Sequence, residues 1–440
     1  MFISRSRHLR PATTVALATV VALTTLTACS SSSPGVTTLD TSADVTLTWW
    51  TGQADQAQTI LEGLADEFEA AHPNVTIKVS SGAPSTEDLL QKMSASFAGG
   101  TYPDISYAFG AWASELAHSG RTLDITEKVV DPDVRWDEFS GAARETARPT
   151  GEATIGFPAV VDNISLIYNT TVFDAADVAY PTEDWTWEDF RTAAKALTDP
   201  ATNTYGYGYS VSGSEETTWQ FWPHLWQNGG EILSEDETTA AFNSAAGVEA
   251  LTFLQRMAVD DASVYLDQTD TKFTQLFASD RIAMITSGPW ALYDMGVAGT
   301  SYGVVQLPGT DGDHTTVSGP DLWVLFDHKD ANREHWAYEF TKWLTDSAQD
   351  VRWNVAYGNL PLRASEIDSP EFIAQAEAMP GLDVMAANGA NATRSRPTVS
   401  GYVNLSEAMG TAISRVLQGQ GDPQSALDEA ADKATAALAD

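Results

Sequence analysis

A chain of 440 residues with a formal charge of −36, 43% hydrophobic residues, 14 Trp, 13 Tyr and 16 Phe is long enough for two or three domains and apolar enough for large cores. So acidic a surface repels phosphate backbones and anionic headgroups, which argues against nucleic acid as a partner. One cysteine, Cys29, leaves no disulfide framework and no thiolate metal site.

The amino terminus has an export pattern. Met1 to Arg10 is basic, and Ala12 to Thr27 is rich in Ala, Val, Leu and Thr. Leu26-Thr27-Ala28-Cys29 closes the stretch. The apolar run is short for a bilayer span, so residues 1–28 read as a signal rather than a membrane helix. LTAC resembles the lipobox of bacterial lipoproteins, which implies a lipid on Cys29 and attachment to the outer face of the cell membrane without spanning it. An ordinary cleaved signal holding a Cys is the alternative. Losing Arg5, Arg7 and Arg10 takes the remainder from −36 to −39. Residues 29–43, opening on Ser30 to Ser33, Pro34 and Gly35, read as a flexible tether.

Beyond the tether, Val45, Leu47 and Trp49 alternate as a strand, followed by the loop Thr51-Gly52-Gln53. Ile60, Leu61, Leu64 and Phe68 share a helical face that Pro73-Asn74 ends, and Val75, Ile77 and Val79 alternate again. Strand, helix, strand in that order is a βαβ unit and predicts a parallel sheet. A helix over 86–97, the turn cluster 99–104 and a strand at 105–107 lead into Ala108-Phe109-Gly110-Ala111-Trp112. Gly156 to Asn169 is extended and apolar, with Asp162-Asn163 in its middle. That pair is costly to bury unless partnered, and is either functional or a polar cap at a sheet end.

Further on, Trp185 to Leu197 predicts a helix that Asp199-Pro200 ends, and Tyr205 to Tyr209 a strand. Trp222 and Trp226, four residues apart, share a helix face and suit a core; Trp219, placed at the helix start, suits a cleft better. Helices are predicted around 248–255 and 273–277. Ile282 to Ile285 is a short apolar run closed by Thr286, Ser287 and Gly288-Pro289, which suits a covered strand delivering Trp290 just past its end. Ligands of open α/β sheets collect outside the carboxyl ends of strands. Trp290 therefore either walls a cleft or packs in the core. Strands at 302–305 and 322–326, an amphipathic helix over 336–344, an extended return at 359–363 and helices from about Pro370 onward complete the chain.

No GxSxG, HExxH, P-loop or GxGxxG in a βα turn is present, and the seven His fall at no metal-ligand spacing. Asp162 with Asp321 could form a glycosidase dyad, but nothing in their context singles them out. An exported α/β chain without catalytic motifs suggests capture rather than turnover.

In this order, TLTWWTG (46–52), YPDI (102–105), FPAVVDNISLIYN (157–169), the WP and NGG of Trp222 to Gly230, AMITSGPW (283–290), YGVVQLP (302–308), AYEFTKWL (337–344), LPLR (360–363) and Gly421 to Leu427 resemble the extracellular solute-binding proteins of bacterial ABC importers, in the carbohydrate-binding family that includes maltose-binding protein. The resemblance covers nearly all of the chain after the tether. It implies a two-lobed periplasmic-binding-protein-like α/β fold, each lobe a mostly parallel sheet flanked by helices. Residues 44–160 and 322–366 would build the first lobe, 166–318 and 370–440 the second, with the ligand cleft between them.

By the same resemblance Trp290 and Trp219 match sugar-stacking aromatics, Asp162 matches a carboxylate that binds sugar hydroxyls, and Gln53 lies in a ligand-contacting loop. Asn163, Asp321, Trp112 and Tyr402 are further candidates. The chemistry is consistent: an indole covers the C–H face of a pyranose while carboxylate and amide oxygens bind its hydroxyls. A charged pair expected after the PDI strand is replaced here by Ala108 to Trp112, so the particular sugar does not carry over. The resemblance further implies a monomer that delivers ligand to a membrane permease, with no metal or organic cofactor. The competing readings are a receptor for a peptide or polyamine and an extracellular glycan hydrolase.

Overall fold

Two five-stranded sheets of the same design organise the computed structural model, which describes residues 38–83 and 86–439. The export signal, Cys29 and the start of the tether lie outside the described residues. Among the described residues, no helix is long and apolar enough to cross a membrane.

The first sheet holds β1 (Val45–Trp50), β2 (Val75–Ser80), β3 (Ile105–Ala108) and β4 (Gly156–Val160). The second holds β5 (Ser165–Asn169), β6 (Tyr205–Ser210), β7 (Val264–Asp267), β8 (Ile282–Ser287) and β9 (Tyr302–Val305). After β10 (Val317–Ser318), β11 (Asp321–Leu325) returns to the first sheet. The strand orders are β2-β1-β3-β11-β4 and β7-β6-β8-β5-β9. In the first, β1 runs parallel to β2 and β3, while β11 is antiparallel to both β3 and β4. In the second, β6 runs parallel to β7 and β8, while β5 is antiparallel to β8 and β9. Each sheet thus has four strands in one direction and a single opposed strand in fourth place. That is the mostly parallel arrangement expected, with one strand of each sheet inserted against the grain.

Residue choice follows this covering. The interior strands β3, β8 and β11 are buried at every position, as strands flanked by helices on both faces must be, and the edge strand β4 is buried throughout as well. Helix Asp55–Ala71 lays Leu61, Leu64 and Phe68 on the first sheet, and helix Ala331–Leu344 presses Phe340 against Trp49 at 5.1 Å. Each such fully buried side chain contributes roughly 1.5–3 kcal/mol. In the second half, Gly206 lets helix Trp187–Ala196 sit directly on β6, since a Cβ there would lie 1.9 Å from the Ala194 carbonyl oxygen.

Several expectations are refined by the fold. The apolar stretch 156–169 is not one strand: β4 belongs to the first sheet and β5 to the second, so the chain crosses between them at Val161 to Ile164. Trp219 ends its helix, Glu215–Trp219, rather than beginning it, because Ser214 caps the turn by accepting from the Glu216 N–H. The carboxy-terminal run of helices is interrupted by β12 (Arg394–Ser395), which pairs with β10. Trp222 and Trp226 are core residues, as their spacing predicts.

His224, on helix Trp222–Gln227, is buried and packs against Trp187 with ring centres 3.9 Å apart and planes tilted by 35°. Burial pushes its imidazole from 6.5 down to about 3. The folded state keeps this ring neutral while the unfolded chain takes up a proton, so this contribution is complete above pH 6.5 and declines as pH falls toward about 3. Denaturant midpoints measured across that window should fall less steeply in His224→Phe than in the parent, whatever the offset at neutral pH.

Candidate functional site

The carboxyl ends of the parallel strands in both sheets open onto one cleft of about 310 Å³, near the lower bound of roughly 300–1,000 Å³ for small-molecule sites. From the first sheet come Gln53 after β1, Tyr107 and Phe109 around the end of β3, and Val160 at the end of β4. Asp321 joins them because β11 is antiparallel: its first residue pairs with Val160, the last of β4. From the second sheet come Glu215, Glu216 and Trp219 on the helix after β6, and Trp290 at the start of helix Trp290–Ala298 after β8. Asp162 lies in the crossing between the sheets, and Arg396 follows β12.

Trp290 is half-buried and lines this space, its ring folded over Gly288, where a Cβ would meet the indole at 2.0 Å. The AMITSGPW turn therefore serves both to close β8 and to lay a flat ring at the sheet edge. Trp219 faces the same space from the second half; its indole Nε1 is buried without a partner.

The charges are tightly arranged. Arg396, 8% exposed, donates to Glu215 at 3.4 Å and to Asp321 at 3.3 Å, and lies 4.4 Å from the Trp219 ring centre. Burial works against the guanidinium charge, yet Glu215 and Asp321 more than offset it and raise its pKa. Asp321 also accepts from Tyr107 Oη at 2.6 Å and from the Gly110 N–H at 2.9 Å. Burial pushes its carboxyl upward, while Arg396 and these donors oppose the rise. The same burial, with the Asp321 charge alongside, raises the Tyr107 phenol well above its usual value. Glu215 accepts from Tyr402 Oη at 3.0 Å and Ser406 Oγ at 2.5 Å.

Asp162 differs from all of these. It is 8% exposed, and its Oδ1 is sealed from solvent without any hydrogen-bond donor. Burial, then the Asp321 charge, push its carboxyl well above the ordinary range, with Arg396 pulling the other way.

The structure brings together five of the residues singled out from sequence: Gln53, Asp162, Trp219, Trp290 and Asp321. Trp112 and Tyr402 line a neighbouring cavity of about 400 Å³ that shares Phe109 and Glu215 with the cleft. Asn163 does not line the cleft. Its amide donates to the Met385 carbonyl at 2.9 Å and accepts from Asn388 at 3.1 Å, fastening the crossing segment to the chain around 385–388. Arg396, Glu215 and Tyr107 escaped the sequence reading. Nothing local marks them, since Arg396 sits in a polar stretch and Glu215 is one acid among 60 acidic residues. Among the described residues, no group of three or more His, Cys, Asp or Glu could hold a metal ion.

Two sheets whose carboxyl ends face a shared cleft define the two-lobed solute-binding fold. The profile of the bacterial extracellular solute-binding protein family matches residues 63–381, and the chain belongs to that family. The cyclic α-maltosyl-1,6-maltose binding protein of Arthrobacter globiformis is similar in structure (TM-score 0.76, 25% identity, 90% of this chain and 99% of that one). UgpB of Mycobacterium tuberculosis, in complex with glycerophosphocholine, has the same fold (TM-score 0.80, 16% identity, 90% and 99% covered). Among sequence relatives, the maltotriose-binding protein of Pyrococcus abyssi is 22% identical over 74% of this chain and 68% of its own length. Family and fold are those of solute-binding proteins, not of enzymes, which removes the hydrolase reading.

Gly319 holds the cleft floor open: a Cβ there would stand 2.0 Å from Asp162 Oδ1 and 2.4 Å from the Trp219 ring. Gly319→Ala should therefore destabilise the protein by about 1–3 kcal/mol through overpacking. Gly63→Ala, on an exposed helix face with nothing within 4 Å of the new Cβ, should stabilise by roughly 0.5–1 kcal/mol. Urea unfolding of the two variants against the parent checks both signs.

Proposed function

We propose that this protein is the lipid-anchored substrate-binding subunit of an ABC importer. It captures a mono- or oligosaccharide in the cleft and delivers it to a membrane permease. The observation that carries this reading is Asp162: a buried carboxylate without a protein donor, in a space walled by Trp219 and Trp290. An unpartnered buried acceptor is unfavourable unless something supplies its donor, and the hydroxyls of a sugar do so while its C–H face covers an indole. Relatives named for maltotriose and for a cyclic maltosyl sugar favour the same ligand class.

The two lobes in this reading are 44–160 with 322–366, and 166–318 with 370–440. The sheet membership of the strands supports the division. Ligand contacts from both lobes favour the closed form by their differential affinity for it, the hinge closure for which periplasmic binding proteins are the standard example. Gln53, Asp321 and Trp290 contribute from the cleft itself; Trp112 and Tyr402 would contact a ligand long enough to enter the neighbouring cavity.

Titration of intrinsic Trp fluorescence against a panel of mono- and oligosaccharides should give a saturable change without product formation. Trp290→Ala should weaken that binding at least about tenfold, given ~1.5 kcal/mol or more for losing a stacked indole, with far-UV circular dichroism unchanged. Binding at parental strength would remove Trp290 from the site. For the anchor, Cys29→Ser should move the protein from the membrane to the soluble fraction on cell fractionation.

A further inference from the structure

The charge in the cleft is unbalanced, and the imbalance bears on the ligand. Four carboxylates line it, those of Asp162, Glu215, Glu216 and Asp321, against one lining guanidinium, Arg396. That guanidinium is already committed to Glu215 and Asp321. Asp321 takes further donors from Tyr107 and Gly110, Glu215 from Tyr402 and Ser406, and Glu216 accepts from Gln220 at 3.1 Å. Of the four, only Asp162 accepts no hydrogen bond from the described residues; its Oδ1 packs against Gly319 and Trp219, which leaves its other oxygen to face the cleft. No described cation of the cleft remains for an anion, and a phosphate placed there would meet carboxylates on both halves.

We propose, building on the sugar-binding reading, that the ligand is an amino sugar: its ring lies against Trp219 and Trp290, and its protonated amine is held by Asp162. A hydroxyl offers that carboxylate one neutral donor, whereas an ammonium offers up to three N–H donors and the charge the cleft lacks. A cleft lined by one sign of charge between low-dielectric walls also concentrates the opposite ion. Burial and the neighbouring acids Asp321 and Glu216 disfavour the Asp162 charge, a cost that a cation offsets and a neutral ring does not. Asp162 is thus the specificity residue, separating basic sugars from their hydroxyl and phosphate counterparts.

Calorimetric titration of the intact protein near neutral pH tests this. The ligands are glucose, galactose, mannose and cellobiose, their 2-amino-2-deoxy and N-acetylated counterparts, the hexose 6-phosphates, and spermidine. At least one 2-amino sugar should bind about tenfold or more tightly than its parent, as a charge-assisted bond to a buried carboxylate requires. Its N-acetylated form and the phosphates should bind no better than the parent. In Asp162→Asn the amine and hydroxyl forms should converge to within about threefold. Parent or N-acetylated sugars binding as tightly as the amines would overturn the amino-sugar proposal while leaving sugar capture intact, and this arm needs no variant. Persistence of the amine preference in a folded Asp162→Asn would remove Asp162 from the role. Binding of spermidine alone, or of nothing in the panel, would overturn the sugar reading together with the proposal.

Discussion

The ion cluster at Arg396 joins what the chain keeps apart. Asp321 opens β11 in the first sheet; Glu215 opens the helix after β6 in the second; the guanidinium between them is buried and bonded to both. Taking one cation and two carboxylates out of water is expensive, and their attraction offsets this only when the remaining lone pairs are satisfied. Here Tyr107, the Gly110 N–H, Tyr402 and Ser406 satisfy them. Removing the arginine would leave the buried Asp321 without its cation, close to the half-buried Glu215. The cluster therefore ties Asp321 of the first sheet to Glu215 beyond the second, with the guanidinium resting against the Trp219 ring.

Around that centre the halves also meet through both apolar and polar groups: Tyr293 lies 5.2 Å from Tyr357, and Val355 and Leu360 pack in one cluster with Phe372 and Met379. Tyr293, past β8, donates to Gln56 on the first helix, and His118 lies 3.1 Å from Ser400. Such contacts are exchangeable for water at small net cost, in keeping with roughly 0.5–1.5 kcal/mol for a typical hydrogen bond. Within each half, by contrast, Trp49, Phe340 and Trp323 or Phe190 and Tyr207 interlock in dry aromatic clusters.

The opposed strand in each sheet is what makes one cleft out of two sheets. β4 ends at Val160 and β5 begins at Ser165, so four residues carry the chain from one sheet to the other and place Asp162 between them. β11, inserted antiparallel beside β4, brings Asp321 to the same edge from a point more than 150 residues later. Asn163 and Asn388 lock the crossing by bonding each other and the Met385 carbonyl. Two adjacent polar residues, both costly to bury, thereby take opposite parts: Asn163 is bonded by the chain at both its amide nitrogen and its oxygen, and Asp162 lines the cleft with no donor from the chain.

What the sequence by itself determined is local or short-range. The alternation of Val45, Leu47 and Trp49, the helical stripe through Leu61, Leu64 and Phe68, and the apolar run before Gly288-Pro289 each carry their period in consecutive residues, so strands and helices were legible where they fall. Trp290 and Asp162 were legible as candidates because an indole after a strand-ending turn and a carboxylate inside an apolar run are locally anomalous. Only the tertiary structure decided which polar residues meet. Arg396, Glu215 and Tyr107 have no distinguishing neighbours in sequence and acquire their role by lying within 3.5 Å or less of partners up to 214 positions away. The split of 156–169 between two sheets, and the opposite fates of Asp162 and Asn163, have the same origin. Hydrophobic period reports burial, which is a property of each segment; the pairing of charges depends on distances across the fold, which no local pattern encodes.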